Sequence, residues 1–281
     1  MICNDSLDDS VQRMNNLYDI QLDRHEAKYI IPPWYVPQIR EFIRPFCIPD
    51  SHGFGDFPEY EITTLQLDTP SLSLYHAKEW EVVNRFKLRA RVYGSNPNGP
   101  VFLEVKRKSR GCIHKSRACI PIEVWMANII KNPESAPVFW SKKEESAYLE
   151  FIRLVKMIGA EPVTLIRYKR EAYMGKIDHY ARVTFDRNLM YQPTREWDLN
   201  GEGKRWFSMD TGLVQNKMNR YSGIVLELKT LSDAPQWMID LVMEFDLVRT
   251  GNCKYTTAVE LESIFRGTSE MPFYAMDLMT Y

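Results

Sequence analysis

Four basic side chains spaced two residues apart are the first feature of this sequence that could do chemistry. They are Arg85, Lys87, Arg89 and Arg91, and an apolar residue stands between each pair. Strict alternation is the period of a β-strand, so the pattern predicts a strand with one cationic face and one apolar face. A half-buried strand with a basic solvent face would look the same, and the stretch alone assigns no function.

The alternation recurs elsewhere, which predicts a sheet with a charged face. We predict strands at residues 22–31, 60–67, 81–93, 101–108, 112–119, 162–174, 181–189 and 224–230, with a shorter strand near 204–209. Helices are predicted near residues 34–46, 121–131, 142–158 and 235–248, and Gly159 is predicted to cap the third of them. Together they predict an α+β fold, an antiparallel eight-stranded β-barrel tunnel with helices packed outside and the charged face turned inward.

The inward positions would form one concave, cationic wall. Its predicted cations are Lys28, Lys87, Arg89, Arg91, Lys106, Lys108, Lys115, Arg170, Arg182, Lys229 and Lys254, and its predicted carboxylates are Glu26, Glu104 and Glu227. Unpaired ions in such a wall would each cost several kcal/mol, so the wall is favourable when a polyanion fills it. Arg grips phosphate oxygens in bidentate fashion, and Lys acts as a compact point charge. A carboxylate retained among them indicates a divalent metal that bridges protein and phosphates.

These residues fit phosphoryl transfer, which depends on positioning and charge neutralisation rather than on a protein nucleophile. Plainer interpretations remain open for several of them. Glu227 and Lys229 could be a simple ion pair, Glu104 could orient a lysine, Glu26 could pair with a basic neighbour, and Tyr168 could be a core aromatic. Arg107 and Arg167 fall on the opposite face of their strands.

Composition limits the partners. The net charge of the 281-residue chain is −1, so anion binding must come from local sorting of charge, and no nucleic-acid partner is expected.

Five scattered cysteines without metal-type spacing favour a reducing compartment, and we expect a cytoplasmic protein without a membrane segment. We expect a flexible segment at residues 1–20, one domain at 21–262 and a tail at 263–281.

An ordered series of motifs resembles the VTC-type polyphosphate polymerase domain of the triphosphate tunnel metalloenzymes, the CYTH-like superfamily. The motifs are Glu-x-Lys-Tyr (26–29), Leu-Asp-Thr-Pro (67–70), Lys-Leu-Arg-Ala-Arg-x-Tyr-Gly (87–94), Phe-Leu-Glu-Val-Lys-Arg-Lys (102–108), Arg-Tyr-x-Arg-x-Ala-Tyr (167–173), Arg-Val-Thr-Phe-Asp (182–186), Leu-Glu-Leu-Lys (226–229) and Cys-Lys-Tyr (253–255). No single motif is specific, but their ordered combination over about residues 22–260 is.

The resemblance implies transfer of the γ-phosphate of ATP to a growing inorganic polyphosphate chain, with release of ADP and exit of the product through the tunnel. ATP and polyphosphate or pyrophosphate are the expected partners, with Mn²⁺ or Mg²⁺ as the expected metal. The expected catalytic residues are Lys28, Arg89, Arg91, Lys106, Arg170 and Arg182. The expected phosphate contacts are Lys87, Lys115, Tyr168, Lys229 and Lys254, and the expected metal carboxylate is Glu227, with Glu26 as a second.

Three departures from the family pattern bear on the choice between a polymerase and its nearest rival, a tunnel-type triphosphate phosphohydrolase. Arg24 replaces the first acid of the superfamily's Glu-x-Glu-x-Lys, which disfavours a tunnel-type triphosphate phosphohydrolase. Cys253 replaces the serine of the usual Ser-Lys pair, and the sequence shows neither the sensing domain nor the membrane helices of eukaryotic members. A non-catalytic module that binds polyphosphate or another phosphorylated ligand is the alternative from a different class.

Overall fold

The computed structural model describes residues 25–53, 57–94, 99–110, 112–126, 129–132, 135–139, 141–177, 180–210, 223–231 and 233–266. The expected flexible segment 1–20, Arg24, the loop 95–98 and residues 267–281 of the expected tail lie outside these ranges. Within the described chain, no helix combines the length and the apolar character that crossing a membrane requires.

One ten-stranded antiparallel sheet organises the fold. Its strands are β1 (His25–Ile31), β2 (Cys47–Pro49), β3 (Glu59–Asp68), β4 (Arg85–Tyr93), β5 (Val101–Ser109), β6 (Cys112–Ile120), β7 (Glu161–Gly175), β8 (Arg182–Pro193), β9 (Phe207–Ser208) and β10 (Ile224–Thr230). Eight of them form the path β1-β10-β8-β7-β3-β4-β5-β6, and the short β2 and β9 pair with β7 and β8. The non-local pairing of β3 with β7 joins the two halves of the chain.

The path curls into a half-barrel. Its end strands, β1 and β6, are not hydrogen-bonded to each other in the described part of the chain. Side chains approach across the opening instead, because Lys106 Nζ of β5 lies 3.6 Å from Glu26 Oε2 of β1. The curl therefore brings the two ends of the sheet to opposite sides of one concave space.

Most of the apolar side chains lie on the convex face, where helices cover them. The six helices described are α1 (Tyr35–Ile43), α2 (Ser73–Glu79), α3 (Ile122–Met126), α4 (Lys142–Ile158), α5 (Gln236–Glu244) and α6 (Lys254–Arg266). Helix α4 packs Tyr148 and Phe151 against the outer residues of β4, β5 and β6. Helices α1 and α5 pack Ile39 and Leu241 against the outer residues of β8 and β10.

Local sequence explains where α4 begins and ends. Ser141 precedes the helix, and its hydroxyl accepts a hydrogen bond from the Glu144 backbone N–H at 3.2 Å. Gly159 ends the helix with φ at +61°, in the left-handed region that glycine adopts at little cost. The predicted cap at Gly159 is confirmed.

Helix α6 lies against the concave face. Its residues Tyr255 and Val259 share an apolar cluster with Ile62, Tyr168 and Val225, which are inward residues of β3, β7 and β10. The Tyr255 hydroxyl donates a 2.6 Å hydrogen bond to the Asp68 carboxylate at the end of β3. That buried carboxylate also accepts from two N–H groups that open α2.

The predicted α+β fold, an antiparallel eight-stranded barrel with helices packed outside, is confirmed in the form of a half-barrel, and α6 lies against the concave face. Differences occur where pairing is non-local or elements are short. Strand β2 was not predicted; it follows directly after the predicted helix 34–46 and exists because Cys47–Pro49 pairs with Tyr173–Gly175. The strand predicted near 204–209 shortens to Phe207–Ser208. The sequence predicts one or two helical turns after Tyr255, whereas α6 runs over Lys254–Arg266.

Candidate active site: a cationic chamber on the concave face

The charged side chains of the concave face form a set that we call the cationic chamber. It comprises Glu26 and Lys28 of β1, Lys87, Arg89 and Arg91 of β4, Glu104 and Lys106 of β5, Lys115 and Arg117 of β6, Arg170 of β7, Asp186 of β8, Glu227 and Lys229 of β10, and Lys254 at the start of α6. Alternation places these residues on one face, and the curl brings seven strands around one space. The chamber holds more cations than carboxylates.

Glu227 is surrounded by three cations. Its carboxylate lies 3.2 Å from Arg170 Nη2, 3.3 Å from Lys229 Nζ and 4.0 Å from Lys28 Nζ. Lys28 also contacts Glu26 at 3.0 Å, so both carboxylates lie beside one ammonium group. Burial alone would raise the pKa of Glu227, but the positive charge of Lys229, Lys28 and Arg170 outweighs burial and holds the pKa well below its usual range.

Asp186 is fully buried and joins two strands to α6. Arg170 donates to both of its oxygens at 2.7 and 2.8 Å, and Lys254 Nζ donates at 2.7 Å. Burial raises the pKa of Asp186, but Arg170 and Lys254 outweigh it and lower the pKa from 3.8 to about 2. The carboxylate therefore stays ionised and fixes both cations toward the chamber.

Glu104 is also fully buried and contacts four cations from two flanking strands. The distances are 2.5 Å to Arg89 Nε, 3.9 Å to Arg91 Nη1, 2.7 Å to Lys115 Nζ and 3.4 Å to Arg117 Nε. Burial raises its pKa, but this surrounding charge holds the pKa of Glu104 far below its usual range. One carboxylate thus links the charged faces of β4, β5 and β6.

Tyr93 extends the cationic chamber beyond Glu104. Its hydroxyl oxygen accepts hydrogen bonds from Arg117 Nη2 at 2.8 Å and from Arg91 Nη1 at 3.4 Å. The Arg117 guanidinium also stacks over the Phe102 ring, with 3.9 Å from Cζ to the ring centroid. Burial raises the pKa of Tyr93, but Arg91 and Arg117 lower it to about 8.

The start of α6 contributes three contacts to the chamber. Asn252 O accepts from Lys28 Nζ at 3.2 Å, Cys253 Sγ lies 2.7 Å from Lys87 Nζ, and Lys254 lies over the Tyr168 ring at 4.7 Å. Cys253 directly precedes α6, in the position where a serine or threonine oxygen commonly caps a helix. Burial raises the pKa of this thiol, but the Lys87 ammonium outweighs it and lowers the pKa from 9.0 to about 6.

Most of the predicted site residues lie together in the chamber, but the surroundings of Arg182 and Tyr168 differ from the prediction. Arg182 lies at the rim, 47% exposed, and its 3.1 Å partner is Asp50 rather than a chamber acid. Tyr168 is 3% exposed and packs its ring beneath Arg170 and Lys254, as in the core-aromatic interpretation. Arg107 lies on the convex face as predicted, bound to Glu150 of α4 at 2.7 Å.

Two chamber residues, Asp186 and Arg117, were missed as site candidates from the sequence. Strand alternation could have identified both residues. Asp186 shares the face of Arg182 and Thr184 on β8, and Arg117 shares the face of Lys115 on β6. The Thr184 hydroxyl, 3% exposed on the same face, makes no hydrogen bond to any residue that the structure describes, which leaves it available to a ligand.

The donor set fits a divalent metal that is held jointly with phosphates. Among the described residues, no three His, Cys, Asp or Glu side chains converge into an all-protein site. Mg²⁺ commonly binds through one or two carboxylates together with substrate phosphates, and Glu227 and Glu26 supply two carboxylates beside Lys28. These two residues would hold the ion, with the remaining ligands supplied by phosphate and water.

Comparison with known proteins gives one family. The family model described as VTC domain matches residues 23–262. No curated protein matches the chain. Structural neighbours include a "putative adenylate cyclase" from Vibrio parahaemolyticus, 11% identical, with a TM-score of 0.42, over 84% of this chain and 98% of that chain. The PH1819 protein from Pyrococcus horikoshii OT3 is 14% identical, with a TM-score of 0.41, over 85% of this chain and 99% of that chain. On the match over residues 23–262, this chain belongs to the VTC domain family.

Proposed function

We propose that this protein is a metal-dependent polyphosphate polymerase, which transfers the γ-phosphate of ATP to an inorganic polyphosphate chain and releases ADP. The observation that carries the proposal is the excess of buried and half-buried cations over carboxylates in the cationic chamber of a VTC-domain chain. Such an excess is favourable only with a polyanion present. We further propose a cytoplasmic setting, with polyphosphate or pyrophosphate as the acceptor.

For the chemical step, the chamber must bind and orient two anions, ATP and the acceptor chain. A terminal oxygen of the acceptor chain forms a bond to the γ-phosphorus as the bond from that phosphorus to the β,γ-bridging oxygen breaks, and ADP leaves with the electron pair. Arg170, fixed by both oxygens of Asp186, and Arg89, fixed by Glu104, are positioned to neutralise the equatorial oxygens of the transferring group.

A bound Mn²⁺ or Mg²⁺ would lower the charge on the triphosphate. Glu227 and Glu26 are the residues proposed to hold it. Lys28 lies beside both carboxylates and would keep the nucleotide phosphates close to them. Burial lowers the pKa of this ammonium, but Glu227 and Glu26 outweigh burial and raise the pKa above its ordinary value, so Lys28 stays charged.

The test incubates the pure protein with ATP and Mn²⁺ and measures long-chain polyphosphate and ADP together. Glu227→Ala is the site variant. Arg107→Ala is the matched control, because Arg107 is a strand cation on the convex face. We expect polymer and ADP in equal phosphoryl amounts from the wild-type protein and the control, and neither from Glu227→Ala.

Other outcomes would contradict the proposal in different ways. ADP with free phosphate and no polymer would assign the chamber to a hydrolase. Binding of polyphosphate without turnover of ATP would assign it to a non-catalytic binding module. Wild-type turnover in Arg89→Ala or Arg170→Ala would show that the chamber is not the active site.

A further inference from the structure

The two sides of the cationic chamber differ in charge balance. On the side of β1, β7, β8 and β10, the four cations Lys28, Arg170, Lys229 and Lys254 are matched by the three carboxylates Glu26, Asp186 and Glu227. On the side of β4, β5 and β6, Glu104 alone faces Arg89, Arg91, Lys115 and Arg117. Most of the unbalanced positive charge therefore lies around Glu104.

On the Glu104 side, one carboxylate faces four cations from two strands. Oε2 contacts Arg89 and Arg91, and Oε1 contacts Lys115 and Arg117. A divalent cation placed there would meet four positive charges at short range. The ligand that suits this side is a multiply charged anion that arrives without a metal.

Arg117 is held in place for such a ligand mainly by contacts other than acids. Its guanidinium stacks on Phe102, and its Nη2 donates to Tyr93. Its buried Nε forms an ion pair with Glu104 Oε1 at 3.4 Å but makes no hydrogen bond to any residue that the structure describes. A planar guanidinium fixed by stacking, with donors to spare, is suited to phosphate oxygens.

We propose that the residues around Glu104, with Arg117 as a phosphate-binding residue, form a second phosphate subsite that takes the metal-free acceptor polyphosphate. The nucleotide and its metal occupy the Glu227 side. This assignment rests on the proposed function, because it divides the two substrates of that reaction between opposite walls. The 3.6 Å contact of Lys106 with Glu26 joins these walls, so anions held on each would meet end to end.

The test measures binding without turnover. Calorimetric titrations would compare tripolyphosphate in EDTA with ADP in Mn²⁺, for wild type, Arg117→Gln, Glu227→Gln and the convex-face control Arg107→Gln. Loss of a charge-assisted contact should weaken tripolyphosphate binding to Arg117→Gln by about tenfold or more, with Mn²⁺·ADP affinity within about twofold of wild type. Glu227→Gln should show the reverse pattern, and Arg107→Gln should change neither affinity.

If Arg117→Gln lost affinity for both ligands equally, the two ligands would share one site and the inference would be overturned. Unchanged affinity for tripolyphosphate would overturn it as well. Circular dichroism would establish that each variant is folded. Lys115→Gln, whose side chain is 44% exposed, provides the same test if Arg117→Gln does not fold. Because no step requires ATP turnover, selective binding by a protein that makes no polymer would refute the proposed function and leave the subsite standing.

Discussion

The Asp186→Asn variant is expected to unfold more easily than the wild-type protein, because Arg170 and Lys254 would lose their common counter-charge. Asp186 is fully buried and makes three contacts of 2.7–2.8 Å to these two cations. Removing one partner of a buried ion pair costs about 3–5 kcal/mol. Asn keeps one oxygen acceptor, so we expect a loss of about 3 kcal/mol in the free energy of unfolding.

The pKa of Asp186 leads to a similar magnitude. Its displacement from 3.8 to about 2, against the effect of burial, corresponds to roughly 2 kcal/mol of stabilisation of the ionised form. Because the folded pKa lies below the unfolded one, this contribution is complete above about pH 4 and is lost as the pH falls towards about 2. Below about pH 4, the free energy of unfolding of Asp186→Asn should therefore depend less steeply on pH than that of the wild-type protein.

Urea unfolding at neutral pH, followed by circular dichroism and tryptophan fluorescence, measures this loss. Asp240→Asn is the matched control, because Asp240 is an exposed carboxylate of α5. Adding Arg170→Met to Asp186→Asn should recover part of the stability, with a coupling of about 1–3 kcal/mol. A midpoint for Asp186→Asn equal to that of the control would refute the view that Asp186 holds the cationic chamber together.

Three further outcomes are expected. The difference in ultraviolet thiolate absorbance between wild type and Cys253→Ser should appear with a midpoint near pH 6, and Lys87→Ala should move that midpoint upward because it removes the nearest cation. Arg170→Ala should abolish turnover of ATP while far-ultraviolet circular dichroism still shows a folded sheet; an active Arg170→Ala would contradict the site. Ser141→Ala should destabilise the protein by about 1 kcal/mol in urea unfolding through loss of the α4 cap, and an unchanged midpoint would show that this cap contributes nothing.

Period-two alternation was sufficient to predict the charged face of the sheet. Lys87, Arg89 and Arg91 face the chamber because β4 pairs with β3 and β5 without a register shift, so alternation holds over its length. The irregularity of register between Arg167 and Lys169 on β7 does not disturb the placement of Arg170 within the chamber.

Alternation could not predict which distant segments of the chain contact each other. The insertion of β3 between β7 and β4 depends on contacts about a hundred residues apart, and the sequence carries no local sign of it. The return of α6 to the concave face depends on the Tyr255–Asp68 hydrogen bond, whose partners are 187 residues apart. Asp186 was passed over because a strand acid beside basic residues resembles an ordinary surface pair until its burial is known.

The contact between Lys106 and Glu26 has a consequence for how a long polymer would reach the interior. A ring closed by backbone hydrogen bonds admits a chain only by threading from one end. Here the two rims of the half-barrel meet through side chains, and a partly exposed ion pair is worth only about 0–1 kcal/mol. At this contact the two sides can therefore separate at little cost and without breaking a backbone hydrogen bond between them, so the width of the concave space is not fixed there by the sheet.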